Sequence, residues 1–116
     1  MNEPLAPEAV LETLLRTLWQ RKQADPAKSY VSGLYAKGID AILKKVGEES
    51  AEVLLAAKNH AAGGDRAALV HELADLVFHL LVLMAAQDVS LEAVTGELSG
   101  RMRRSGLEEK ASRTHA

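Results

Sequence analysis

Apolar residues recur along this chain at the three- and four-residue steps of an α-helix, and the recurrence breaks in few places. Val10, Leu11, Leu14, Leu15, Leu18 and Trp19 form one such stripe,. Pro7 suits the first turn of that helix, where a missing N–H costs nothing, and Pro26 sets its far limit,. From Asp25 to Gly38 the chain is polar and broken by glycines, which predicts mostly loop or a short helix,. A long helix is expected from about Ile39 to His60, ended by a connection through Gly63 and Gly64,. Asp65 can cap a further helix reaching about Gln87, and Ser90 another reaching roughly Met102,. The tail beyond is charged and without apolar periodicity. The pattern predicts an all-α fold of four to five helices, with residues 1–116 forming a single domain and no internal repeat,.

The helix after Asp65 is apolar nearly all round: Leu69, Val70, Leu73, Leu76, Val77, Phe78 and the run Leu80 to Leu83. Such a helix is expected to be buried on every side. Three other helices of one small chain would struggle to cover it, and large exposed apolar patches are rare. The expectation is a four-helix-bundle-like core completed by dimerisation, in a homodimer that uses this helix from both subunits.

Composition narrows the function classes. Apolar residues make up 47% of the 116, but aromatics only 3%, so leucine and alanine must do the packing. With abundant Glu, Lys and Arg, that mixture favours helix. A net charge of −2 without a long basic run argues against nucleic acid as a partner,. The absence of cysteine excludes disulfides, thiol nucleophiles and thiolate metal sites,. The acidic first ten residues lack an apolar stretch, so no secretory signal is expected,. The uninterrupted apolar run from Leu80 to Ala86 falls short of the ~20 residues of a membrane span. No membrane partner is expected, and the expected location is cytoplasmic.

The informative residues are five carboxylates. Successive helical residues turn by ~100°, which puts Glu49 and Glu52 within ~60° of each other, and Glu48 and Glu52 within ~40°. Glu72 and Asp75 repeat the i, i+3 spacing on the next helix. The short glycine-containing connection predicts antiparallel packing, which allows the two acidic sets to face each other. Facing carboxylates repel and desolvate badly without a cation, and hard oxygen ligands suit Mg²⁺ or Mn²⁺ rather than zinc. The competing reading makes Glu48 and Glu49 solvated surface groups; against it, Glu72 and Asp75 interrupt an otherwise apolar helix. Lys45 lies one turn before Glu48 and Glu49, where an ammonium could meet a polyphosphate or simply pair with Glu49. Asn59 lies two turns beyond Glu52 on the same side. His79 shares the face of Asp75 and reads as a supporting group behind the ligands, since imidazole is not a preferred Mg²⁺ ligand.

No Gly-rich phosphate loop, GxSxG or HExxH is present, and the Glu-x-x-His pair of di-iron bundles is missing,. What remains is metal-assisted hydrolysis in which a carboxylate orients or deprotonates water.

Glu48-Glu49-x-x-Glu52 followed by Glu72-x-x-Asp75 resembles the EExxE…ExxD signature of the all-α nucleotide pyrophosphatases related to MazG. KKVGEESAEVLLAAKN (Lys44 to Asn59), ELADLVFHLLVLMA (Glu72 to Ala85), the tail RSGLEEKASR (Arg104 to Arg113) and the loop DPAKSYVSGLYAKG resemble the phosphoribosyl-ATP pyrophosphohydrolases. The likeness runs from Leu11 to Arg113. Ser50 stands where alanine is expected.

The resemblance implies hydrolysis of the α–β phosphoanhydride of phosphoribosyl-ATP to phosphoribosyl-AMP and pyrophosphate, the second step of histidine biosynthesis. It implies Mg²⁺ held by Glu49, Glu52, Glu72 and Asp75, with Glu48 holding a second ion or positioning water. By the same analogy Lys22, Ser29, Tyr30, Lys37, Arg104, Ser105 and Lys110 handle phosphates and ribose. No second domain resembling the phosphoribosyl-AMP cyclohydrolase is expected in 116 residues. Two rival readings are a house-cleaning nucleoside triphosphate pyrophosphatase and a non-catalytic helical interaction module.

Overall fold

A computed structural model describes residues 3–104 as five α-helices with two short 3-10 turns, and no strand among the described residues. Helix α1 (Pro7–Gln20) leads through 3-10 turns at Arg21–Gln23 and Pro26–Lys28 into α2 (Tyr30–Lys37). The long helices α3 (Ile39–Ala61) and α4 (Arg66–Ala86) follow, and then α5 (Leu91–Arg103). Ser105 and Lys110 lie outside the described residues.

Side-chain caps fix where the helices begin. Asp65 Oδ1 accepts from the Ala67 N–H at 2.9 Å, and Ser90 Oγ from the Ala93 N–H at 3.0 Å, as their sequence positions predict,. The Asp25–Gly38 stretch holds a 3-10 turn and a short helix, the second of the two forms expected of it. Asp25 caps the second 3-10 turn through the Ala27 N–H, and Ser29 caps α2 through the Ser32 N–H at 3.3 Å. Val31, Ser32 and Leu34 are buried, so α2 is held by packing as well as by its cap.

The α3–α4 turn places the acidic residues. Gly63 has φ +96°, which favours glycine, and the Gly64 N–H donates to Asn59 O at 2.9 Å,. A Cβ on Gly64 would lie 2.7 Å from that same oxygen, so the chain can close here only with glycine. The result is an antiparallel hairpin in which α4 packs chiefly on α3 and also on α1.

The core sits at one end of this hairpin. Leu15 and Leu18 of α1, Val31 and Leu34 of α2, Ile42 of α3, and Leu81, Val82 and Ala85 of α4 form it. Every core residue of α3 and α4 lies far from the Gly63–Gly64 turn. Toward the turn the hairpin is two helices thick and sheds its apolar side chains into solvent: Leu54 is 71% exposed, and Val70 and Leu73 are also exposed, as are Val77 and Leu80 further along α4. Helix α5 buries none of its residues. Within one chain, α4 is therefore not covered on every side as its composition predicts. By length and composition α4 would also pass for a membrane span, with a mean hydropathy of 1.8 over its most apolar window. It carries Glu72 and Asp75 in mid-helix, and charged groups there are costly in a bilayer.

Candidate active site

The hairpin brings the two acidic sets to matching heights. Glu52 lies nine residues before the end of α3 and Asp75 nine residues after the start of α4. At the helical rise, both stand ~13.5 Å from the turn. Glu49 is one turn further from it and Glu72 about one turn nearer,. Glu52, Asn59 and Glu72 line one cleft of about 360 Å³ between the two helices, together with Asp65 and the side chains of Leu55 and Ala56. Asn59 thus joins the acidic groups as its spacing predicts.

Lys45 stands on α3 about two helical turns further from the Gly63–Gly64 turn than Glu52,. Its Nζ is 3.6 Å from Glu49 Oε1 and 3.9 Å from Glu48 Oε1. The Glu49 side chain is only 12% exposed, whereas that of Glu48 faces solvent. The ammonium is held charged above the usual lysine range, first by attraction to Tyr30 and then, against an opposing desolvation, by Glu49 and Glu48,. A cation at this point offsets the repulsion among carboxylates and is at hand for an anionic ligand.

On α4, ligand atoms of His71, Glu72 and Asp75 lie within 4.8 Å of one another. His71 Nε2 is 3.3 Å from Asp75 Oδ2. Sequence reasoning missed His71, although its four-residue spacing to Asp75 puts it on the same face. The half-exposed Asp75 and the largely exposed His71 leave this cluster open to solvent. Its carboxylate oxygens fit a small hard divalent cation, and the imidazole is the donor such a cation prefers least. His79 lies one turn on, buried, with Nδ1 2.9 Å from the Asp75 backbone carbonyl and Nε2 2.9 Å from Tyr30 Oη. Ser50 returns its hydroxyl to Val46 O at 2.8 Å within α3, which explains why a serine there disturbs nothing,.

The remaining positions from the sequence divide. Tyr30 reaches the site through His79. Ser29 has its oxygen occupied as the cap of α2, and Lys37 is exposed at the other end of that helix. Lys22 is fastened elsewhere: Nζ donates to Ala85 O at 2.9 Å, pairs with Asp88 Oδ1 at 2.7 Å and lies over the Trp19 ring. A phosphate contact from Lys22 would require that arrangement to open. Arg104 is exposed just past α5. A separate recess of about 410 Å³ between α1 and the start of α5, lined by Arg16, Trp19 and Ser90, holds none of the five carboxylates.

Carboxylates on two antiparallel helices, an ammonium beside them and no phosphate-binding loop fit the class of all-α hydrolases that work on phosphoanhydrides. Comparison with known proteins is more specific. A family model described as phosphoribosyl-ATP pyrophosphohydrolase matches residues 11–102, and the chain belongs to that family. It is 53% identical over 105 residues to the phosphoribosyl-ATP pyrophosphatase of Burkholderia ambifaria, covering 88% of this chain and 87% of that one. The protein of the same name from Methylococcus capsulatus is 51% identical over 104 residues, covering 90% and 95%. That of Neisseria gonorrhoeae is 49% identical over 109 residues, covering 94% and 98%.

Proposed function

We propose that this chain hydrolyses the α–β phosphoanhydride of 1-(5-phosphoribosyl)-ATP, releasing 1-(5-phosphoribosyl)-AMP and pyrophosphate in histidine biosynthesis. The observation that carries the reading is the half-identical match, over nearly the whole chain, to proteins named for this reaction. Glu49, Glu52, Glu72 and Asp75 would hold Mg²⁺, with Mn²⁺ as a substitute. When bound, such a cation neutralises phosphate oxygens and draws charge from the leaving pyrophosphate.

The chain's own residues supply the rest. Glu48, the most exposed of the α3 carboxylates near Lys45, orients a water molecule and takes its proton as the water oxygen bonds to phosphorus,. The anhydride P–O bond breaks and pyrophosphate leaves. Lys45 offsets part of the negative charge that builds on the phosphates, and Asn59 offers its amide at the turn end of the cleft,. Arg104 would contact phosphate or ribose, the role expected also of Ser105 and Lys110, which lie outside the described residues. Lys37 and Ser29 would act from α2.

The same reading includes a second copy of the chain. Val70, Leu73, Val77 and Leu80 follow one another at steps of three and four along α4, and all are exposed. Leu54 and Leu55 of α3, at about the height of Leu73, are exposed as well. Paired two-helix hairpins would make a four-helix bundle and cover both stripes, with Glu49, Glu52, Glu72 and Asp75 sited where that bundle forms. The cytoplasm, where nucleotide biosynthetic intermediates reside, is the location that suits this function.

Incubation with phosphoribosyl-ATP, dUTP and 8-oxo-dGTP in parallel tests the substrate. The proposal expects pyrophosphate release from phosphoribosyl-ATP at a rate far above the other two. Preference for a free nucleoside triphosphate would favour the house-cleaning reading, and no release from any of them would favour the interaction module.

A further inference from the structure

Tyr30 is the first residue of α2 and stands 56% exposed, yet its hydroxyl is turned inward onto a side chain of α4 that is 6% exposed. The direction of that hydrogen bond is fixed by the other end of the imidazole. His79 Nδ1 lies 2.9 Å from the Asp75 carbonyl oxygen, which can only accept, so Nδ1 carries a hydrogen,. The ring is wedged edge-on between Tyr30 and Phe78, with centroids 5.9 and 5.2 Å away, and Asp75 engages it through backbone rather than carboxylate. Nδ1 is thus the ring's donor, and Nε2, which meets the Tyr30 hydroxyl, is its acceptor,. Tyr30 must therefore donate to Nε2 across the 2.9 Å separation.

The phenol has one hydrogen, and His79 takes it. What Tyr30 still offers is the exposed part of its ring and the lone pairs of its oxygen,. Neither suits a phosphate oxygen, which needs donors. A ring face suits a purine or the apolar side of a ribose, and an oxygen lone pair suits a sugar hydroxyl.

On the reading that the substrate is a phosphoribosyl nucleotide, we infer that Tyr30 contacts its nucleoside or ribose part rather than its phosphates, and that His79 is the positioning residue that holds Tyr30 in that role by accepting its hydroxyl proton. His79 acts on the substrate through Tyr30. It also ties the start of α2 to the helix that carries Glu72 and Asp75, so loop and acidic cluster keep one spacing.

The test measures KM, kcat and inhibition by the two products, pyrophosphate and phosphoribosyl-AMP, for Tyr30→Phe, His79→Leu, His79→Gln and the double variant Tyr30→Phe/His79→Leu. Losing one hydrogen bond predicts about a fivefold rise in KM for Tyr30→Phe and for His79→Leu, with a smaller effect on kcat. Inhibition by phosphoribosyl-AMP should weaken in step while that by pyrophosphate stays within about twofold. The double variant should be no worse than either single one, because both remove the same interaction. His79→Gln, whose amide oxygen can accept from Tyr30, should recover most of the lost affinity. Additive losses, or pyrophosphate inhibition weakened as much as that by phosphoribosyl-AMP, would overturn the inference.

Tyr30→Phe lies on the surface and keeps the fold testable if His79→Leu does not fold. Long-range ¹H–¹⁵N spectra of histidine-labelled protein supply a readout independent of turnover. They should show His79 protonated at Nδ1, with its Nε2 resonance displaced in Tyr30→Phe. The opposite tautomer would sink the inference even with an active enzyme, whereas an inactive wild type would instead refute the substrate reading.

Discussion

Lys45 Nζ lies 3.6 Å from the nearly enclosed carboxylate of Glu49, and 3.9 Å from Glu48. The pair admits two uses of the same cation: neutralising Glu49, or meeting the substrate's polyphosphate. If the second holds, Lys45→Met should lower kcat/KM by ~10², the loss typical of one well-placed electrostatic donor. Mg²⁺ affinity should stay the same or tighten, since a competing positive charge is gone. A rate within about threefold of wild type at saturating metal would make Lys45 an ion-pair partner alone.

Lys22 is expected to act on stability. Its ammonium caps the last turn of α4 through Ala85 O and holds Asp88, which has the unusual φ of +56°,. Lys22→Met should lower unfolding stability by about 1–2 kcal/mol, measured in urea, with KM within about threefold. Unchanged stability with a KM raised more than tenfold would return Lys22 to the phosphates.

Tyr35 makes a prediction at high pH. Its hydroxyl donates to Leu18 O at 2.8 Å, and burial pushes its pKa up to about 12 from 10.0. The folded state thus favours the protonated phenol. That contribution is complete below about pH 10 and is lost as pH rises toward 12, because the unfolded chain ionises first,. Absorbance at 295 nm should show one tyrosine titrating near 12 in wild type and missing in Tyr35→Phe. The stability gap between the two proteins should narrow above pH 10.

The exposed α4 stripe predicts a dimer. Wild type should sediment at twice the 12.5 kDa chain mass at micromolar concentration. Leu73→Asp should reduce the mass to that of a monomer, or unfold the chain, since an unpaired carboxylate buried in an interface costs several kcal/mol. Leu73 is the better probe than Leu83, which packs on the chain's own core. A monomeric wild type would contradict the paired-hairpin arrangement.

Much of this was legible in the sequence because it rests on local rules. The caps Asp65 and Ser90, the glycine turn and the four- and three-residue carboxylate spacings follow from helix geometry,. In Asp25–Gly38 the sequence leaves loop and short helix open, and burial of Val31 and Leu34 selects the helix. Lys22 and Tyr30 were also opaque, for a related reason. Their partners Asp88 and His79 are distant in sequence, and no periodicity announces such pairs. Lys22 looks like a loop cation free for phosphate until α4 is folded against it. His71 was overlooked because a lone surface histidine carries no signal of its own until Asp75 is seen one turn away.

On the proposed function, Glu49, Glu52, Glu72 and Asp75 hold the cation that drives hydrolysis of phosphoribosyl-ATP. The most direct measurement is pyrophosphate release from that substrate, with and without Mg²⁺, by wild type and by Glu49→Gln, Glu52→Gln, Glu72→Gln and Asp75→Asn. Wild type should be active only with the metal. Each variant should lose ~10² or more in rate at metal concentrations that saturate wild type, while its helical circular dichroism is retained. Near wild-type rates in all four variants, or release undiminished without a divalent cation, would contradict the claim.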